Sequence, residues 1–261
     1  MNTKPAVPAV YIFGDSTFDV GTNHFLSDSK AQADKKRYGI DFPKSQPTGR
    51  FSNGYNTADK IAMHLGFEMS PPPFLLLFQN NTQHFRSQIL KGVNFASGGS
   101  GILYETGKKH FNLRNLGARK FGILSVPPLG CVPMMRLPNK NRDCNEDLNA
   151  ISQEFYTLLK GLLQNLSSQF PDMKYSLANS YNMSKTMINN AQILGLENLS
   201  SPCCGNLTSA CTPDSEVCQN RNAFMFWDQM HPTQRVSELA AESLFIGGED
   251  IVAPINFARL I

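Results

Sequence analysis

Ala9-Val10-Tyr11-Ile12-Phe13-Gly14-Asp15-Ser16 is the stretch from which the fold can be read. Its first five residues are apolar, rich in β-formers and free of charge, the pattern of a strand buried on both faces. A serine just past such a strand stands at the carboxyl edge of a sheet, where open α/β folds carry their chemistry. Gly-Asp-Ser by itself is a common turn. It gains meaning from Asp228-Gln229-Met230-His231 near the other end of the chain. A serine hydroxyl is a poor nucleophile unless a base takes its proton and an acidic group orients that base. Asp228 and His231, three residues apart, can leave the backbone on the same side and supply both parts. Ser16, Asp228 and His231 are therefore the candidate catalytic residues.

Further short apolar runs read as strands at residues 92–96, 121–126 and 173–178. Residues 27–57 are polar and rich in Gly and Pro, which predicts loop. Ala58, Ile61, Ala62 and Leu65 form a helical stripe. A longer one runs through Leu148, Ile151, Phe155, Leu158, Leu159, Leu162, Leu163 and Leu166, with Asn145 as its N-cap. A last helix follows Pro232 with Val236, Leu239 and Ala240 on one face, and a helix is expected directly after Ser16. Strands that alternate with helices predict an α/β fold whose parallel sheet is covered on both sides. No repeat, linker or low-complexity tract divides residues 1–261, so a single domain is expected.

The chain has 261 residues, 41% hydrophobic and 17% charged, enough for one sizeable core. A formal charge of +3 is too small to argue for nucleic acid or a membrane surface. Lys35-Lys36-Arg37 and Lys108-Lys109-His110 read as solvated loop. No apolar run reaches the ~18 residues of a membrane span, and no Cys/His spacing suggests a metal. No cofactor is expected. His24, His64, His84 and His110 lack an acidic partner in a motif, and Trp227 is expected to pack behind the catalytic turn.

From these residues outward the chain resembles the plant GDSL esterase/lipases of the SGNH hydrolase superfamily. The resemblance rests on Tyr11-Ile12-Phe13-Gly14-Asp15-Ser16, on Thr48-Gly49-Arg50-Phe51-Ser52-Asn53-Gly54 and on Gly92-Val93-Asn94-Phe95-Ala96-Ser97-Gly98-Gly99. Leu116-Gly117-Ala118-Arg119-Lys120-Phe121, Pro128-Leu129-Gly130-Cys131, Cys203-Cys204-Gly205 and Phe226-Trp227-Asp228 with His231-Pro232-Thr233 continue it in order. Thr17 stands where the family usually has Leu. The resemblance implies a flavodoxin-like sheet of order 2-1-3-4-5, a Ser-His-Asp triad and an acyl-enzyme. It also implies an oxyanion hole using the backbone N–H groups of Ser16 and Gly99, with Gly99 favoured over Gly98.

One family block is missing. Gly-x-Asn-Asp should lie between the Gly-rich block and Leu116-Gly117, yet the sequence contains no Asn-Asp dipeptide. A short polar bridge, residues 108–115, stands in its place. The chain therefore reads as internally deleted, without central strand 3 and without the asparagine that serves relatives as third oxyanion donor. Asn94, Asn112 and Asn115 lie nearby, none in the right context. Losing one such donor costs on the order of 10²–10³ in kcat. Strands 1 and 4 should either become neighbours in a 2-1-4-5 sheet or leave backbone groups without partners at ~1–3 kcal/mol each, so marginal stability is expected.

The function implied is hydrolysis of small acyl or lipid esters by a monomer. Two alternatives remain open: an acyltransferase sharing the acyl-enzyme, and a crippled isoform that binds without turnover. The six cysteines, 131, 144, 203, 204, 211 and 218, suggest disulfides. Cys131 should pair with Cys144, and Cys203 and Cys204 with Cys211 and Cys218 in an order left open. Asn80, Asn165, Asn182, Asn198 and Asn206 head Asn-x-Ser/Thr sites. The resemblance implies an extracellular protein, although residues 1–8 do not read as a signal peptide.

Overall fold

A computed structural model describes residues 5–79, 85–101, 113 and 117–261. Lys108-Lys109-His110, His84, Asn80, Asn112 and Asn115 fall outside them. Strand β1 (Val10–Ile12) is followed by helices α1 (Thr57–His64), α2 (Phe74–Gln79) and α3 (Phe85–Ile89), then β2 (Gly92–Asn94) and β3 (Lys120–Leu124). Helices α4 (Pro133–Arg136) and α5 (Glu146–Gln169) precede β4 (Lys174–Ala178), α6 (Ser180–Asn189), α7 (Ala191–Leu194) and β5 (Asn198–Pro202). Strand β6 (Phe224–Phe226), α8 (Gln234–Ile246), β7 (Val252–Ala253) and α9 (Phe257–Leu260) complete the chain.

The fold is mixed α/β with parallel strand pairs, as the alternation of elements predicts. β1 runs parallel to β2, with Val10 opposite Gly92 and Ile12 opposite Asn94. β3 runs parallel to β4, from Lys120 opposite Lys174 to Leu124 opposite Ala178. Among the described residues β1 does not pair with β3, so of the two expected outcomes the 2-1-4-5 sheet does not form and the sheet stays interrupted. The order β2-β1, gap, β3-β4 puts the break, among the described residues, at the position that the resemblance assigns to central strand 3. β7 adds antiparallel to β4, and β5 pairs with β6 in a separate ladder. Neither of these was legible in the alternation of elements.

One face holds the pieces together. Ile61 and Leu65 at the end of α1 and Ala241, Leu244 and Phe245 of α8 pack with Val10, Leu124, Ala178 and Val252 in one core cluster. The same helices therefore touch strands on both sides of the break. On the opposite face, Leu163 of α5 is buried against Tyr175 and Leu177, with Leu159 and Leu166 beside it. The long stripe of α5 is only partly used, however. Ile151, Leu158 and Leu162 are 58%, 66% and 54% exposed. Tyr11 and Phe13, alternating with buried Ile12, are 48% and 43% exposed on the other side of the break. Apolar side chains are thus exposed both along α5 and at the end of β1.

The helix expected directly after Ser16 is a single turn. Phe18 and Asp19 both donate their N–H to the Asp15 carbonyl. The Asp19 carboxylate then accepts from Gly21 N–H and Thr22 N–H at 2.8 and 2.7 Å, and its carbonyl accepts from Asn56 Nδ2 at 2.8 Å. Gly21, at φ +123°, turns the chain where a Cβ would meet the Thr48 carbonyl oxygen at 2.6 Å. Side-chain competition for backbone groups ends the helix before a second turn.

Candidate functional site

The turn after β1 carries Ser16, and the turn between β6 and α8 carries Asp228 and His231. Asp228 closes its own turn, its Oδ1 accepting from Met230 N–H and His231 N–H, each at 2.8 Å. Thr233, immediately after, caps α8 by accepting from Val236 N–H, and Trp227 N–H bonds the His231 carbonyl at 2.8 Å. The imidazole is thereby fixed between a capped helix and a strand. Its Nδ1 lies 2.8 and 2.9 Å from the two Asp228 oxygens. Its Nε2 lies 2.8 Å from Ser16 Oγ. Three side chains from opposite ends of the sequence form one hydrogen-bonded row.

The row is largely shielded from water, which sharpens its electrostatics. Burial alone would push the Asp228 carboxyl up. The imidazole beside it and the three hydrogen bonds from His231 and Met230 outweigh that and hold it below the ordinary carboxylate range. Burial alone would push His231 down. The Asp228 carboxylate, helped by Asp15, outweighs it and raises the imidazole above its ordinary 6.5.

Several partners were not legible in the sequence. Tyr38, buried, donates its hydroxyl to Asp228 Oδ2 at 2.8 Å. Burial and the facing carboxylate push that phenol far up, so it stays a donor at any working pH. Phe51, within the Thr48–Gly54 block, lies with its ring centroid 4.9 Å from that of His231. The sequence signal for Tyr38 was membership of a polar, Gly-rich loop segment, and Phe51 stood in a block that carries the family resemblance without a role of its own. Trp227 is fully buried as expected, packed among Cys203, Cys204, Cys211, Tyr38 and Phe51.

The Gly-rich turn after β2 is anchored to the Ser16 turn. Ser97 N–H bonds the Gly14 carbonyl at 3.1 Å, and Phe95 N–H bonds that of Ile12 at 2.7 Å. Asn23 reaches across with Nδ2 to the Gly98 carbonyl at 2.9 Å and Oδ1 accepting from Ser97 Oγ at 2.6 Å. Gly98 N–H is taken by Asp19 Oδ2 at 2.9 Å. Gly99 adopts φ +86°, a left-handed region that favours glycine. Neither Gly99 N–H nor Ser16 N–H has a hydrogen-bond partner among the described residues. Asn94 is committed elsewhere: its Nδ2 donates to the Phe18 carbonyl and Ser70 Oγ, and its Oδ1 accepts from Ala96 N–H.

The other histidines stand apart. His24 does have an acidic partner, Asp34 at 2.7 Å, but the pair is largely exposed and outside the Ser16–His231–Asp228 row. His64 stacks on Phe245. Among the described residues no group of three or more His, Cys, Asp or Glu could hold a metal ion, and no helix is long and apolar enough to cross a membrane.

Three disulfides are formed. Cys131 pairs with Cys144, and the open order resolves as Cys203 with Cys218 and Cys204 with Cys211. The nested pair backs the Asp228–His231 turn, since Cys203 N–H and Cys204 N–H bond the carbonyls of Phe226 and Trp227.

A model of the family described as GDSL-like lipase/acylhydrolase matches residues 10–112 and 108–244, two pieces that overlap at residues 108–112. A GDSL esterase/lipase of Arabidopsis thaliana is 32% identical over an alignment of 317 residues, covering 90% of this chain and 87% of that protein. A second from the same plant is 28% identical, covering 98% of this chain and 91% of its own length. An anther-specific proline-rich protein of Brassica napus is 28% identical, covering 91% and 71%.

Proposed function

The chain belongs to the GDSL-like lipase/acylhydrolase family, and we propose that it hydrolyses carboxylic esters through a Ser16-His231-Asp228 triad and an acyl-enzyme. The observation that carries this reading is the 2.8 Å contact between Ser16 Oγ and His231 Nε2. As the Ser16 oxygen bonds to the ester carbonyl carbon, its proton passes to His231 Nε2. Asp228 holds the other ring nitrogen as donor and stabilises the imidazolium. The carbonyl electrons move onto an oxyanion facing the N–H groups of Ser16 and Gly99. Collapse breaks the bond to the alcohol, which leaves with the His231 proton. Water then repeats the sequence on the acyl-enzyme and returns the serine. No metal or organic cofactor takes part in this scheme.

The absent third block is part of the same reading. An alignment of 317 residues to a chain of 261 requires relatives to carry residues that this chain lacks. With no asparagine donor, turnover should run about 10²–10³ below that of an intact relative. The three disulfides fit an oxidising compartment, and Asn165, Asn182 and Asn206 are exposed sites for glycans, so we read the protein as secreted and monomeric.

A fluorophosphonate probe tests the nucleophile directly: the wild type should be labelled and Ser16→Ala should not, with hydrolysis of p-nitrophenyl butyrate following the label. A folded protein that the probe leaves unlabelled would refute the reading.

The pH profile offers a second check. The base works only when neutral, and His231 is held above 6.5, so kcat/KM should rise with pH through an apparent pKa above that value. The same raised value stabilises the fold below the unfolded pKa of about 6.5, and this contribution fades as pH climbs through the folded one. Tyr38→Phe removes a donor from Asp228 and leaves more negative charge facing the ring, so the acid limb should move further up. A limb that stays in place would show that the phenol serves packing alone.

A further inference from the structure

Residues 97–100 form a four-residue turn, closed by Ser100 N–H on the Ser97 carbonyl at 3.0 Å, with Gly98 and Gly99 at its corners. Gly99, the second corner, has φ +86°. A positive φ there marks a type II turn, whereas the commoner type I turn has a negative one. The two types differ by turning over the peptide between the corners, which is made of the Gly98 carbonyl and the Gly99 N–H. A trans peptide is planar, so its C=O and N–H point in opposite directions. Whatever holds the Gly98 carbonyl therefore aims the Gly99 N–H. Two glycines accept either orientation at little steric cost, so the corner residues themselves leave the choice open.

We propose that Asn23 makes that choice: it is a positioning residue that holds the Gly98–Gly99 peptide in the orientation presenting Gly99 N–H as an oxyanion donor. The assignment rests on the esterase reading above. Asn23 Nδ2 donates to the Gly98 carbonyl at 2.9 Å, and also reaches Ser29 Oγ at 3.0 Å and the Ala31 carbonyl at 2.7 Å. Its Oδ1 accepts from Ser97 Oγ at 2.6 Å. With both ends of its amide engaged and only 2% of the residue exposed, the side chain has little freedom to release the carbonyl. Gly98 has to be glycine for the same contact, since a Cβ there would lie 2.8 Å from Asn23 Nδ2 and 2.9 Å from the Phe51 ring. Asp19 holds the other side of the same residue, taking Gly98 N–H at 2.9 Å, while its own N–H bonds the Asp15 carbonyl. Residues 15–23 thus carry both Ser16 and the clamp on the turn that supplies the second donor. None of the hydrogen bonds of the Asn23 side chain goes to Ser16 or His231, so its effect on the reaction runs through the peptide alone.

Steady-state hydrolysis of p-nitrophenyl butyrate by the wild type, Asn23→Ala, Asn23→Asp and the control Ser29→Ala tests this, with Ser16→Ala as the blank. Rates are counted per serine labelled by excess fluorophosphonate, so that misfolded chains drop out. Asn23→Ala removes the donor, and Asn23→Asp keeps the shape while setting an oxygen against the Gly98 carbonyl. Both should lose about 10²-fold in kcat with KM changed by less than about threefold, the sign of an interaction made only in the transition state. The apparent pKa of the rising limb should stay in place. Affinity for an alkyl trifluoromethyl ketone, which forms a hemiketal oxyanion on Ser16, should fall by the same factor as kcat. Ser29→Ala takes away a different partner of Asn23 Nδ2 and should stay within about threefold of the wild type. A crystal structure of Asn23→Ala should show the Gly98–Gly99 peptide turned over or split between two orientations. A kcat per labelled serine within about threefold of the wild type in Asn23→Ala, or a peptide that keeps its orientation there, would overturn the proposal. An equal loss in Ser29→Ala would trace the effect to general loosening and overturn it too. All three results leave the esterase standing. A wild type whose hydrolysis Ser16→Ala does not reduce would instead overturn the esterase reading, and the positioning role with it, before any Asn23 variant is needed.

Discussion

Ser16→Ala is expected to lower kcat on a p-nitrophenyl ester by about 10⁶-fold, or to the background of the assay, and His231→Ala to lower it as far. The double variant should lose no more than either alone. The reason is geometric. Ser16 Oγ and His231 Nε2 share one proton across 2.8 Å, so removing either end removes the same event. Asp228→Ala should cost less, about 10⁴. The imidazole would keep its place between Trp227 and the cap of α8, but lose the acceptor that fixes its tautomer and stabilises its charge. What survives in all these variants is whatever binding and the proposed oxyanion donors, Ser16 N–H and Gly99 N–H, supply, and that residue of activity should be small. Steady-state kinetics on the four proteins decide it. Additive losses from Ser16→Ala and His231→Ala would mean that the two act in separate steps.

The candidate site was legible to the extent that it is made of local turns. Gly14-Asp15-Ser16 and Asp228 to His231 each carry their geometry within a few residues, because Asp228 bonds the backbone of its own turn and Ser16 directly follows an uncharged apolar strand. Tyr38 was not legible. Its bond to Asp228 spans 190 positions, and nothing in a single tyrosine within a polar loop announces a partner at that distance. The same holds for Asp19, whose carboxylate occupies Gly98 N–H across 79 positions. The strands β1 to β4 were readable from short runs of β-formers. β5 was not, since Asn198-Leu199-Ser200-Ser201-Pro202 has neither alternation nor hydrophobic density. The stripe of α5 showed that a helix was there but not how much of it is covered. Periodicity reports which residues share a face; whether another element sits on that face depends on residues elsewhere in the chain. The disulfide order was undetermined for a simpler reason: adjacent Cys203 and Cys204 can each reach either partner until the ladder of β5 and β6 fixes their directions.

Arg50→Met is expected to cost about 3–5 kcal/mol of stability. Arg50 and Asp59 are 5% and 0% exposed, joined by two parallel bonds, Nε to Oδ2 at 2.7 Å and Nη2 to Oδ1 at 2.8 Å. The guanidinium also lies 4.8 Å from the centroid of the Phe42 ring. Asp59 does more than pair. It accepts from Asn56 N–H at 3.0 Å as part of the capping box of α1, and from Ser70 N–H at 3.1 Å. Asn56 in turn holds the Asp19 carbonyl, and Asp19 holds the Gly98 turn. Methionine would leave the carboxylate buried without its cation, at the root of a chain of contacts that ends beside Ser16. A domain of this size has ~5–15 kcal/mol to lose. The urea midpoint should therefore fall by more than about 1 M, taking m of ~1–3 kcal/mol per molar, with part of the sample unfolded before denaturant is added. Arg50→Met combined with Asp59→Leu should recover much of the loss, because the cost lies in the orphaned charge rather than in the missing attraction. A midpoint that Arg50→Met leaves unchanged would mean that water reaches Asp59 freely, and with it that the packing between β1, α1 and the Gly98 turn is looser than the burial of this pair requires.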